Sequence, residues 1–164
     1  MVAALGILPM RLAWTEPRTT TMEEIRLLES PEELRASYRV MSQLRSHLTE
    51  DEYMACLAQQ REAEHYHVVG LSDQSGKFRA VGGFRLATAL AHGKFLYVDD
   101  LVSDRAARSK GYGKKLLDWI GRYGKEHGCA SLHLDSGVQR HDAHRFYLRE
   151  RMEIVFYHFR KNLD

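Results

Sequence analysis

Phe95-Leu96-Tyr97-Val98-Asp99-Asp100-Leu101-Val102, followed by Arg108-Ser109-Lys110-Gly111-Tyr112-Gly113-Lys114-Lys115, decides how this chain is read. The first stretch is apolar, β-branched or aromatic along most of its length and predicts a strand. Beyond the second, Leu116, Leu117, Ile120 and Tyr123 share one face of a helix expected from Gly113 to His127 and stopped by Gly128. Ala130 to Asp135 reads as another strand. Strand, loop, helix and strand in that order make a crossover unit, so these two strands are expected to lie parallel with the helix on their sheet.

Working outward, Glu24 to Leu28 reads as a first strand, ended by Ser30-Pro31-Glu32-Glu33. Ser30 can cap a helix, Pro31 suits its first position and Glu33 completes a capping box. Leu34, Tyr38, Met41 and Leu44 or Arg45 carry the helical spacing to about Ser46, and Thr49 to Glu52 form a second capping box opening Glu50 to Arg61. His67 to Leu71 and Phe78 to Leu86 are strand-like runs joined by the turn-forming Ser72 to Gly76. Gly82-Gly83 inside the second run suggests a bulge or a close backbone approach. His141 to Glu150 reads as a short helix and Ile154 to Arg160 as a final strand. The expected class is therefore α/β (α+β), a single domain with a mixed sheet and helices on its faces.

The composition bounds function as well as fold. A chain of 164 residues, 44% hydrophobic and 28% charged, suits one compact domain. Residues 1–21 read as a loose N-terminal extension, or as sequence ahead of a structural beginning at Met22, and 22–164 as the domain. With 24 basic and 22 acidic residues the formal charge is only +2, which gives no reason to expect nucleic acid. No apolar run reaches the roughly 18 residues of a membrane span. Cys56 and Cys129 stand far apart, in no ligand-like or redox-like pair, which argues against a zinc site or a disulfide framework and makes cytoplasm the default.

The Arg108 to Gly113 loop is where the chemistry concentrates. The N–H groups of a helix's first turn lack partners within the helix and the macrodipole adds positive charge there, so the spot suits phosphate. Gly111 and Gly113 remove side chains that would hold an anion away, while Arg108, Lys110, Lys114 and Lys115 supply charge. The nucleotide P-loop spacing is absent, since one residue separates Gly111 from Gly113 and Lys114 is followed by Lys115. A dinucleotide fingerprint would need glycine where Leu116 stands. What is left is Arg-x-x-Gly-x-Gly at a strand-loop-helix junction.

That pattern, with Tyr97-Val98-Asp99-Asp100-Leu101-Val102 before it and Asp142-Ala143-His144-Arg145-Phe146-Tyr147 after it, resembles the GNAT superfamily of acetyl-CoA-dependent N-acetyltransferases. The resemblance covers Phe95 to Lys161; from Met22 to Ala91 only element order agrees. It implies a mostly antiparallel mixed sheet with a splayed central strand pair. It implies that Leu101, Val102 and Ser103 bond the pantetheine arm of acetyl-CoA through their main chain. The pyrophosphate would rest on Arg108, Ser109, Lys110, Gly111, Tyr112 and Gly113.

Tyr147 falls where the resemblance places an acid for the departing CoA thiolate; a positioned proton donor is typically worth about 10² to 10⁴ in rate. Without the resemblance, Phe146 and Tyr147 would read as core aromatics. An alkylammonium acceptor with a pKa of about 10.4 must first lose a proton, so a base is wanted too. Asp99 and Asp100 are the candidates; on a regular strand they point to opposite faces, so at most one would face the acceptor. His133 reads as a core partner or a proton relay, and His141 and His144 show no third ligand, so no metal is expected.

Arg140 stands where relatives often have Asn, and Arg151-Met152 where Gly-Phe is common, which weakens transfer of acceptor contacts. The expected function is transfer of an acetyl group from acetyl-CoA to a primary amine of a small molecule or protein. Direct transfer is favoured, because neither cysteine has a nucleophile's setting. Partners are then acetyl-CoA and an amine of unknown identity, with no nucleic acid and no membrane; a homodimer fits such folds, but no sequence feature establishes it. The rival readings are a non-catalytic acyl-CoA-binding or sensing module and an interaction domain whose basic loop grips another partner's phosphates.

Overall fold

The computed structural model describes residues 22–163; the expected extension at 1–21 lies outside them. In chain order they form β1 (Glu24–Leu27), α1 (Pro31–Met41), α2 (Glu50–Glu64), β2 (His67–Ser72), β3 (Phe78–Ala89) and β4 (Gly93–Ser103). A short 3₁₀ turn (Arg105–Ala107), α3 (Tyr112–Glu126), β5 (Ser131–Leu134) and α4 (His141–Arg149) follow. The five strands lie in sequence order; every neighbouring pair is antiparallel except β4 and β5, which are parallel as the crossover requires.

Both capping boxes form. Ser30 Oγ accepts from Glu33 N at 3.2 Å and Thr49 Oγ1 from Glu52 N at 3.3 Å, and each glutamate reaches back to its cap's backbone N–H. α1 ends at Met41, not near Ser46, because the chain tightens into successive turns whose Leu44 and Arg45 N–H groups both return to Met41 O. This earlier stop swings Arg45 toward β4.

The sheet separates two apolar layers. Leu34, Val40, Met41, Tyr53 and Leu57 of α1 and α2 pack on one face with Tyr66, Val68 and Val81. On the other face Leu116 and Ile120 of α3 pack against Val69, Phe84, Leu96 and Val98. A Cβ on Gly82 would come within 3.1 Å of Ile120, so this glycine lets α3 sit close.

The strand expected over Ile154 to Arg160 does not form. Those residues pair with no strand, and β5 is laddered only to β4. The chain turns at Arg151, which takes a left-handed φ of 64°, and the segment beyond it meets its surroundings through side chains instead, His158 Nδ1 lying 2.7 Å from Asp135 Oδ2.

Candidate active site

The candidate site is built around an irregularity in β4. Gly83 pairs with Asp100, but the next residue of β3, Phe84, pairs with Val98, so Asp99 is an extra residue on β4. Such a bulge interrupts the alternation of faces. Val98 belongs to the α3 side and Leu101 packs there again, while Asp99 and Asp100 both border one cavity on the α1 and α2 side. The expectation that the two carboxylates point to opposite faces is thus corrected, the bulge being the cause.

The two aspartates are then put to different uses. Asp100 Oδ2 accepts from Tyr66 Oη at 2.6 Å and its Oδ1 from Arg45 Nε at 2.6 Å, so both oxygens are engaged. Asp99 receives Arg85 Nη2 on Oδ1 at 3.1 Å, whereas its Oδ2 is buried without a hydrogen-bond partner. Burial pushes the Asp99 carboxyl above the ordinary aspartate range; Arg85 opposes this and Asp100 adds to it. A carboxylate with one oxygen unspent and an elevated proton affinity has the properties of a general base.

The cavity measures about 490 Å³. The turn after α1 contributes Arg45 and Leu48, α2 contributes Tyr53 and Gln60, and the segment beyond β5 contributes Asp135 and Gly137. Burial raises the Tyr53 hydroxyl to about 12 and lifts Tyr66 and Tyr97 too, so all three phenols stay protonated at neutral pH.

The cavity opens where the sheet divides. β4 and β5 pair only from Phe95 with Ser131 to Val98 with Leu134, whereas β4 continues to Ser103 bonded to β3 alone. Leu101, Val102 and Ser103 therefore carry backbone groups with no strand on their far side. The expected splay is present.

Past Ser103 the chain is pinned by Asp104. Its Oδ2 accepts from Arg39 at 3.0 Å and Arg79 at 3.2 Å, and its Oδ1 from Gln43 at 3.2 Å and from Ala106 N at 3.2 Å. These donors, the Gln43 and Arg39 bonds foremost, hold its carboxyl down at about 2. The glycine loop follows. Ser109 and Gly111 adopt left-handed φ of 63° and 80°, and Gly111 caps α3 without any side-chain bond to the first-turn amides.

A Cβ placed on Gly111 would meet nothing within 4 Å, so open space lies over the start of the helix. The residues fit a pyrophosphate: free first-turn amides, a side-chain-free approach and exposed Arg108, Ser109 and Lys110. Lys114 is turned elsewhere, bonding Glu150 at 2.7 Å, and Lys115 pairs with Glu23. Gly113 sits under Phe146 and Ser103, with Ser103 Oγ 3.1 Å from where a Cβ would be, so a side chain there would wedge β4 from α4.

Tyr147 follows Phe146 on α4 and lies outside the residues that line the acidic cavity. Burial raises its hydroxyl, with Arg140 pulling the other way. His133 faces His92 and Phe95, with ring centroids 4.7 and 4.9 Å away, apart from the cavity. His141 and His144 stack edge to face, and no cluster of three metal-ligating groups occurs among the described residues. Arg45, Tyr66 and Asp104 were not singled out from sequence. A usable signal was the spacing Leu96, Val98, Leu101, whose step from two to three marks the bulge and so the need for something to hold Asp100.

Residues 22–151 match the family model described as Acetyltransferase (GNAT) family. The chain belongs to the GNAT acetyltransferases. It is 37% identical over 141 residues, 85% of this chain and 99% of the relative, to the uncharacterized N-acetyltransferase YhdJ of Bacillus subtilis. A Trypanosoma brucei acetyltransferase shares the fold with a TM-score of 0.70 at 21% identity, over 86% of this chain and 99% of that one. The aminoglycoside N-acetyltransferase AAC(6')-Iy, solved with CoA, shares it at 0.70 and 16% identity, over 85% and 95%. This GNAT chain is an acyltransferase, and no helix among its described residues is long and apolar enough to cross a membrane.

Proposed function

We propose that this chain moves the acetyl group of acetyl-CoA directly to a primary amine, with Asp99 as the general base. The carrying observation is the buried, unpartnered Asp99 Oδ2 at the bulge, bordering a cavity beside the divided sheet. An acceptor ammonium supplies the hydrogen bond that this oxygen lacks and gives it a proton; Arg45 and Tyr66 keep Asp100 from competing for it. The bound co-substrate supplies an activated acyl carbon. Leu101, Val102 and Ser103 orient it through their open main-chain side, and the amides from Ser109 to Gly113 hold its diphosphate.

The nitrogen lone pair forms the new bond to the acyl carbon as the carbon-sulfur bond breaks. Tyr147, kept protonated by its burial, gives its proton to the leaving thiolate and recovers one from the acylated nitrogen. One proton, taken by Asp99, leaves to solvent. Release of free thiol from acetyl-CoA over a panel of primary amines tests the reading. Asp99→Asn is expected to lower kcat about 10² to 10⁴-fold at neutral pH, Tyr147→Phe to lower kcat with CoA affinity kept, and Gly111→Val to abolish CoA binding. CoA binding without thiol release for any amine would instead make the chain an acyl-CoA-binding module.

A further inference from the structure

Two charged side chains outside the cavity are tied to Asp99. Arg85 on β3 reaches Asp99 Oδ1 with Nη2 at 3.1 Å, and its Nη1 bonds Glu64, the last residue of α2. Neither Arg85 nor Glu64 is among the residues that border the cavity, so neither faces an amine held there. The guanidinium bridges a carboxylate of the site and a carboxylate of the surface, Asp99 being 18% exposed and Glu64 43%.

The bridge has a third contact. Arg85 pairs with Tyr97 across the ladder between β3 and β4, and its Cζ lies 5.5 Å from the Tyr97 ring centroid. A planar fork whose arms are spent on two carboxylates and whose face rests on a ring has little freedom to turn. A carboxylate gripped at one oxygen resists rotation about its Cβ–Cγ bond, so the other oxygen keeps one direction. In Asp99 that other oxygen is the buried, unpartnered Oδ2.

We infer that Arg85, braced by Glu64, is the positioning residue for Asp99: it aims Oδ2 at the acceptor nitrogen and divides its own charge between the base and a surface carboxylate. This rests on the reading of Asp99 as the base. The division matters because a guanidinium spent wholly on Asp99 would weaken its pull on a proton, whereas none at all would leave burial and the Asp100 charge to keep it protonated and unable to accept one. Glu64 draws the guanidinium between these extremes. The other charged groups around Asp99 are engaged elsewhere. Arg45 bonds Asp100 and the Asp99 main-chain O at 3.0 Å, and Asp100 also receives Tyr66. Tyr53, Tyr66 and Tyr97 are neutral phenols, while His47 and Asp135 stand elsewhere on the cavity wall, Asp135 beside His158.

Titration of Asp99 in the full chain reads this device without turnover. Its carboxyl carbon resonance in NMR spectra, assigned by its loss in Asp99→Asn, is expected to move its midpoint up by about one pH unit in Arg85→Gln and down by about half a unit in Glu64→Gln. The acidic limb of kcat/KM for the most active amine of the panel is expected to shift with it. Arg85→Gln is also expected to lower the plateau kcat about ten- to a hundredfold with KM for acetyl-CoA kept, and Arg85→Lys to recover the midpoint but not the rate, since an ammonium supplies charge without the fork. Glu64→Gln, a surface change, carries the test if Arg85→Gln loses its native far-UV circular dichroism. Midpoints that stay put or move the same way in both variants would overturn the inference, as would an Arg85→Gln enzyme with wild-type plateau kcat. Wild-type turnover by Asp99→Asn would overturn the base reading and the positioning role with it, whereas unmoved midpoints in a chain that Asp99→Asn inactivates overturn the positioning role alone.

Discussion

Tyr66 stands in the space that Gly83 vacates: a Cβ on Gly83 would lie 1.6 Å from the Tyr66 hydroxyl, which donates to Asp100 at 2.6 Å. The glycine on β3, the tyrosine before β2 and the aspartate on β4 are one unit. Gly83→Ala should therefore expel the Tyr66 ring from the core and cost about 3 kcal/mol or more. Tyr66→Phe keeps the packing and gives up one bond to a carboxylate, about 1.5 to 3 kcal/mol. Urea midpoints of the two variants check the order; a Gly83→Ala protein as stable as wild type would break the unit apart.

Asp99→Asn should gain stability where the wild-type group is ionised. The fold raises this carboxyl's affinity for its proton, chiefly through burial, so the folded state favours the neutral form. Ionisation as pH rises through the elevated value costs the wild type stability that Asn never loses, and Asn Oδ1 still accepts from Arg85. The difference in Tm between variant and wild type is expected to be small near pH 4 and to widen in the variant's favour toward pH 7. Equal Tm values across that range would show that the carboxylate is not held against its ionisation.

Asp104 behaves in the opposite sense. Its carboxyl is held at about 2, so it contributes stability above the ordinary aspartate value of about 4 that is lost as pH falls toward 2. Asp104→Ala should cost about 3 kcal/mol at pH 7, the low end for a buried carboxylate because Arg39 keeps contact with water. It should also weaken CoA binding by freeing the loop from α1 and β3. Thermal melts and calorimetric titration read the two effects separately.

Arg151 occupies a left-handed position, φ 64°, immediately after α4. Arg151→Gly should relieve that strain and stabilise the chain by about 0.5 to 1 kcal/mol, visible as a raised denaturant midpoint with an unchanged slope. A lower midpoint would mean that the arginine's contacts outweigh its backbone strain.

Much of this fold was legible because its signals are local. Ser30 with Glu33 and Thr49 with Glu52 announce helix starts within four residues, and Leu116, Leu117 and Ile120 announce the buried face of α3 within five. The parallel order of β4 and β5 follows from the helical crossover between them, which carries the chain back to the edge where β4 began. What stayed hidden depends on partners distant in sequence. The Asp99 and Asp100 carboxylates are set apart by what reaches them, Arg85 in one case and Arg45 with Tyr66 in the other. Residues 154–160 carry a strand's composition, but composition says nothing of whether a ladder forms, and among the described residues they pair with no strand.

The anchoring of Asp104 also ties the anion cradle to distant parts of the chain. Arg79 comes from 25 residues upstream and Arg39 from 65, so the bend after β4 is tethered by the earliest helix and by a middle strand at once. Both tethers precede the glycines in sequence, so the seating of the loop depends on α1 and β3 being docked against the end of β4, and loosening either one is felt at the anion cradle.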